Sequence, residues 1–264
     1  MKQYRKKVSI IISVLNGRSV IESCLDSIFK QDFKDYELII IDGGSVDGTV
    51  KVLERYSDKI DFWKSEKDLG VFDAWNKALE IAVGEWICFV GSDDFLLPDS
   101  LSKYISKADF PTVNFVSSRV MMVDDNGTDV GAIGKPWNFH DQSGGMGVVH
   151  CGAFHHRSLF DEYGTFDHAY KLSGDFDFLL RVGRNIRASF VNEITVNMCD
   201  TGQSRTQVKE VVMETSRILY QHPEFGRFYG IKHFISAHLR SFIRRIVFLF
   251  PFGNYLFSLK NRLK

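Results

Sequence analysis

Cysteine is scarce in this sequence and nowhere paired: the four residues Cys24, Cys88, Cys151 and Cys199 lie far apart, with no CxxC spacing. That pattern argues against a zinc ribbon or a disulfide-stapled fold and points to a reducing compartment. Cys24 and Cys88 stand in apolar runs and read as small buried hydrophobes. Net charge is also lacking. Lys+Arg and Asp+Glu both number 33, so no overall field recommends nucleic acid as a partner. No apolar run reaches the ~20 residues of a spanning helix. The longest, Ile246–Phe257, is interrupted by Pro251, Gly253 and Asn254. No leader peptide is expected either, because Val8–Val14 is short and leads straight into a glycine turn. Finally, acid is absent after Glu224, while Lys and Arg continue from Arg227 to Lys264.

What is present is ample material for a core. Of 264 residues, 44% are hydrophobic, enough for one large α/β domain with an appendage or for two small domains. The 23 phenylalanines suit a protein with apolar surface to dock. The first hundred residues alternate between strand and helix patterns. Val8–Val14, Tyr36–Asp42 and Trp86–Val90 are continuous apolar runs, whereas Ser19–Lys30, Thr49–Tyr56 and Val71–Val83 carry apolar residues at helical spacing. Strands of that kind between helices predict a mostly parallel sheet covered on both faces. Beyond them, Asn114–Val123 with Asp124–Gly127 predicts a strand and a hairpin corner, and Gly131–Gly147 a loop. Val148–Phe154 predicts a further strand, Asp175–Val182 a helix, and the chain from Val208 a helical extension.

In such sheets ligands bind beyond the carboxyl ends of the strands. Three polar clusters fall there: Leu15-Asn16-Gly17, Asp42-Gly43-Gly44 and Ser92-Asp93-Asp94. The glycines of Asp42–Thr49 permit a tight turn and close backbone approach, and the carboxylates accept from a base N–H or a ribose hydroxyl. An ordinary turn with an Asp cap fits that stretch equally well. Adjacent carboxylates such as Asp93 and Asp94 are costly unless a cation or polar ligand compensates them, and a hard divalent ion bridging to a diphosphate meets that need. A solvated turn before Pro98 is the plainer alternative. Ser65–Lys77 places Asp68 at a helix start. His150 suits either acceptor placement or a hydrogen-bonded structural role. His155 and His156 are adjacent in a strand pattern, point oppositely, and do not chelate one ion.

Taken together, VSIIISVLNG, ELIIIDGGSVDGT, SEKDLGVFDAWNKAL, GEWICFVGSDDFLLPDSL and SGDFDFLLR resemble, in order, the bacterial family-2 glycosyltransferases of capsule, O-antigen and exopolysaccharide synthesis. The resemblance implies the GT-A fold, a UDP-sugar donor, Mn2+ or Mg2+, and inversion at the anomeric carbon. It also implies roles. Val14 and Asn16 would line the nucleoside pocket, with Asp42 on the uracil and Asp68 closing the base side. Asp93 would hold ribose or sugar hydroxyls, Asp94 the metal, and Asp175 would be the catalytic base. Gly43, Gly91 and Gly174 stand where many members carry an acid.

The expected organisation is a GT-A domain over 1–205, with a nucleotide-binding half (1–101) and an acceptor-binding half (102–205), then a basic helical extension over 206–264. The basic, aromatic stretch Ser236–Phe250 fits the surface of an anionic bilayer, which would suit a lipid-linked saccharide acceptor and a peripheral place on the inner face of the cytoplasmic membrane. Two other functions compete. A sugar-nucleotide pyrophosphorylase would want a better triphosphate loop than LNGRSV. A non-catalytic nucleotide-sugar-binding subunit would not need Asp93, Asp94 and Asp175 together.

Overall fold

The computed structural model describes Tyr4 and residues 6–249. Two compact units are distinguished: one holds the residues through Gln142 together with Met146–Thr206, the other Ser143–Gly145 and the residues from Gln207 on.

The first unit is an α/β fold built on the predicted alternation, with one further parallel strand, Phe62–Ser65, that the sequence pattern did not predict. Strands β1 (Lys6–Val14), β2 (Tyr36–Asp42), β3 (Phe62–Ser65) and β4 (Gly84–Gly91) alternate with helices α1 (Ile21–Phe29), α2 (Thr49–Arg55) and α3 (Val71–Ile81). They pair in parallel in the order β3-β2-β1-β4. Consecutive residues Ile10, Ile11 and Ile12 are all fully buried, so both faces of the sheet are covered. The register sets Val14 beside Asp42, Asp42 beside Ser65 and Ser13 beside Gly91. The carboxyl ends of the four strands therefore finish in line.

The second half adds β5 (Phe95–Leu96), α4 (Ser100–Ile105), β6 (Phe115–Val123), β7 (Asp129–Ile133), β8 (Phe154–His156), α5 (Ser158–Tyr163), α6 (Gly174–Val182), β9 (Ala188–Cys199) and α7 (Gln203–Thr206). The sheet continues β4-β8-β6-β9-β5, with β7 on β6. Here it is mixed: β8 runs antiparallel to both β4 and β6, whereas β6 and β9 are parallel. The corner at Asp124–Gly127 is formed as predicted, with the Asp124 carboxylate accepting from the amides of Asn126 and Thr128.

Two expectations change. The strand predicted over Val148–Phe154 pairs only from Phe154. Before it, Gly152 takes a left-handed φ of 76° and the Ala153 amide donates to the His150 carbonyl, which makes a turn. A Cβ on Gly152 would meet Val196 Cγ2 at 2.7 Å, so glycine is also required by the close packing. The predicted loop from Gly131 overlaps β7, which finds its partner in the antiparallel neighbour β6.

The second unit contains α8 (Val208–Gln221) and α9 (Gly226–Leu249). They cross closely at Gly230, where an added Cβ would lie 2.6 Å from the Tyr220 side chain. His233 Nδ1 pairs with Ser216 Oγ at 2.9 Å. The tail beyond Leu249, including most of the apolar run Ile246–Phe257, lies outside the described residues.

Candidate active site

The aligned strand ends bring the polar clusters to one edge. At the end of β2, Asp42 is fully buried, and its Oδ2 accepts from the amides of Gly44 (3.1 Å) and Ser45 (2.9 Å) and from Ser65 Oγ (2.6 Å). Its Oδ1 is a buried acceptor with no partner among the described residues. Val14, at the end of β1, accepts the Gly43 amide through its carbonyl at 2.9 Å. Asn16 clamps the same turn: its amide donates to Ser45 Oγ (2.7 Å) and its Oδ1 accepts the Val46 amide (3.0 Å). It does so at a left-handed φ of 53°, a region that asparagine tolerates better than most residues.

Asp68, just before α3, closes over this turn. Its Oδ1 accepts the Gly70 amide at 3.0 Å. A Cβ at Gly43 would lie 2.7 Å from Asp68 Oδ2, so a second acid after Asp42 would have to displace the Asp68 carboxylate. The structure thus gathers Val14, Asn16, Asp42 and Asp68 around one turn.

Asp93 and Asp94 follow β4. Asp94 is 5% exposed, and its carboxylate is held by three donors. The Cys151 thiol (2.8 Å) and the Gly91 amide (3.2 Å) reach Oδ2, and the Cys199 amide (3.3 Å) reaches Oδ1. Burial, and then the neighbouring Asp93 carboxylate, push the Asp94 carboxyl up to about 6. Burial likewise raises the Cys151 thiol, with Asp94 adding to it, so the thiol stays a neutral donor. Among the described residues no Lys or Arg forms an ion pair with either aspartate. Two adjacent carboxylates, one of them hard to ionise and neither neutralised, form an oxygen donor set short of positive charge, and a hard divalent cation fits that need. No closed cluster of three or more acidic, His or Cys ligands occurs among the described residues, so further ligands would come from the substrate or water. A third acid in place of Gly91 would have to move the Asp94 carboxylate, whose Oδ2 would lie 2.5 Å from the added Cβ.

Asp175 occupies the first turn of α6, where its Oδ1 accepts the Phe176 amide at 2.8 Å. The preceding Gly174 packs on Phe72 of α3, and a Cβ there would meet two ring carbons at 2.8 Å. Lys171 Nζ donates to the Leu69 carbonyl at 2.7 Å. Phe72 and Leu69 therefore tie the segment bearing Asp175 to the start of α3, next to Asp68.

His150 lies apart from these carboxylates in kind. It is 6% exposed, stacked on Trp75 (centroids 5.2 Å) and Phe89 (5.4 Å), and neither ring nitrogen has a partner among the described residues. The hydrogen bond expected of a structural histidine is thus replaced by aromatic stacking. Burial, then His155, hold its pKa well below the ordinary range, so the ring is neutral. His155 and His156 do point to opposite faces: the first packs on Phe115 and Phe160, the second on Trp86 and Phe110. Sequence reasoning missed Ser65, Cys151 and Cys199. Ser65 stood at a strand end within a quoted motif, whereas nothing in the sequence tied either cysteine to Asp94.

Residues 9–163 match the profile of Glycosyl transferase family 2. A PGL/p-HBAD biosynthesis glycosyltransferase of Mycobacterium bovis is 31% identical over 182 residues, covering 67% of this chain and 70% of that protein. Among solved structures, S. aureus TarS 1–349 in complex with UDP-GlcNAc aligns with a TM-score of 0.68 at 19% identity, over 89% of this chain and 73% of that one. The chain spans only 43% of the longer TarS structure. Mannosyltransferase PcManGT from Pyrobaculum calidifontis, in complex with GDP-Man and Mn2+, aligns with a TM-score of 0.67 at 17% identity, over 99% and 81%. These likenesses establish the GT-A fold. With more than half of its length inside the family profile, the chain belongs to glycosyl transferase family 2 and is a glycosyltransferase.

Proposed function

We propose that this glycosyltransferase moves a sugar from a UDP-sugar to an acceptor hydroxyl with inversion, the acceptor being a lipid-linked saccharide of bacterial surface-polysaccharide synthesis. The observation that carries the donor reading is the convergence of Asp42, with its unpartnered buried Oδ1, and Asp93-Asp94 on one sheet edge. Val14, Asn16, Asp42 and Asp68 bind the nucleoside, and a base N–H is the donor that Asp42 Oδ1 lacks. Asp93 accepts from ribose or sugar hydroxyls. Asp94 would hold Mn2+ or Mg2+, which supplies positive charge to the departing diphosphate. PcManGT was solved with Mn2+ and the TarS fragment with UDP-GlcNAc, which supports both choices.

In the transfer step the acceptor oxygen bonds to the anomeric carbon from the face opposite the diphosphate. The anomeric C–O bond breaks with its electrons leaving on the diphosphate, and the acceptor proton passes to the Asp175 carboxylate. His150, neutral and buried, shapes the acceptor side through its stack with Trp75.

Peripheral attachment to an anionic membrane is part of the same reading. No helix among the described residues is long and apolar enough to cross a membrane. On α9, however, Phe228, Ile231, Ile235 and Leu239 recur at helical spacing and are 53–69% exposed, in a segment with Arg227 and Lys232 and no acid.

The test is UDP binding by calorimetry with Mn2+ and with EDTA, on wild type and Asp94→Asn. Metal-dependent binding lost in the variant supports the donor site and justifies screening UDP-sugars for turnover. No UDP binding under either condition would remove the UDP assignment.

A further inference from the structure

Three donors hold the Asp94 carboxylate, and two of them are backbone amides that any substitution would leave in place. The third is the Cys151 thiol, the one side chain among the described residues that bonds to Asp94. At 2.8 Å from Oδ2 this S–H···O contact is short, and it spans 57 positions of sequence. The turn carrying Cys151 is itself fastened: the Gly152 amide donates to the Phe89 carbonyl of β4 at 2.8 Å, and the Ala153 amide closes onto the His150 carbonyl. The sulfur is therefore fixed relative to β4, whose carboxyl end leads into Asp94.

The geometry also explains why such a donor is useful. Asp93 and Asp94 are neighbours of like charge, and their repulsion favours rotating one carboxylate away from the other. A neutral thiol behind Oδ2, with the Cys199 amide on Oδ1, opposes that rotation without adding charge of its own. We infer that Cys151 is a positioning residue whose thiol orients Asp94 to receive a divalent cation. This inference rests on the reading of Asp94 as a metal ligand.

The experiment titrates Mn2+ into UDP-binding assays on wild type, Cys151→Ala, Cys151→Val and Cys151→Ser, with circular dichroism confirming folding. Alanine and valine remove the donor, valine while keeping the volume filled; serine keeps a donor. The Mn2+ concentration for half-maximal UDP binding is expected to rise about tenfold in the first two, the scale typical of groups that support metal ligands. Serine should stay close to wild type, and UDP affinity at saturating Mn2+ should be little changed in all three. A wild-type Mn2+ requirement in alanine and valine, or a serine variant as impaired as alanine, would overturn the inference. Asp94→Asn separates the two levels. If it keeps the wild-type Mn2+ dependence, the metal-ligand reading fails and takes this inference with it. If it loses that dependence while alanine and valine keep it, the role of Cys151 alone is wrong.

Discussion

Replacing Asp94 with asparagine should make the metal-free protein more stable at neutral pH, although it removes the proposed metal ligand. The carboxyl is displaced from its ordinary 3.8 to about 6, first by burial and then by Asp93. At about 1.4 kcal/mol per pH unit, ionised Asp94 is disfavoured in the folded chain by about 3 kcal/mol. Between those two pKa values the folded state binds more protons than the unfolded state, so stability falls as pH rises through the window and is flat above it. Asparagine carries no charge at any pH. Its oxygen still accepts from Cys151 and Gly91, but its NH2 faces the Cys199 amide, and that lost bond costs about 1 kcal/mol. The net expectation near pH 7.5 is a gain of about 2 kcal/mol, or about 4–8 °C in Tm for a domain of this size. As pH falls the ionisation penalty disappears and only the lost bond remains, so the gain should vanish at about pH 4.5 and turn into a small loss below it. Scanning calorimetry in EDTA from pH 4.5 to 8 reads both quantities. A variant less stable than wild type at pH 7.5, or a gap independent of pH, would refute the electrostatic argument.

Other perturbations test other parts of the site. Asp175→Asn should lower kcat by about 10²–10⁴ with UDP affinity unchanged, since a base acts on the acceptor and not on nucleotide binding; a parallel loss of UDP binding would contradict that role. Gly174→Ala places a Cβ 2.8 Å from the Phe72 ring and should cost about 1–3 kcal/mol in urea unfolding, whereas a neutral effect would mean that the ring moves freely. Ile235→Asp, in the exposed row on α9, should weaken sedimentation with anionic vesicles but not the binding of UDP. Equal recovery with neutral and anionic vesicles would exclude the electrostatic part of that attachment.

Much of the parallel half was legible in the chain because strands buried on both faces must be apolar throughout. Val8–Val14, Tyr36–Asp42 and Trp86–Val90 stood out for that reason, and the intervening helices by their 3.6-residue period. Once those strands are parallel and in register, their polar ends share an edge, so the gathering of Asn16, Asp42 and Asp93-Asp94 followed from local pattern. The mixed half was not legible. β5 is two residues long and exists only because β9 pairs with it, and β9 itself mixes buried Val191 and Val196 with exposed Asn192 and Glu193. The turn at Gly152 interrupts a run that reads as a strand: the glycine takes a left-handed backbone, and a Cβ there would meet Val196 from β9, a contact that local sequence does not reveal. What local sequence determined, then, was the parallel sheet and the acids at its edge, because burial and turn chemistry act over a few residues. Tertiary structure alone decided the surroundings of those acids. Phe72 crowds any side chain at Gly174, the Asp68 carboxylate lies where a Cβ on Gly43 would go, and Cys151 meets Asp94 only because antiparallel β8 lies against β4.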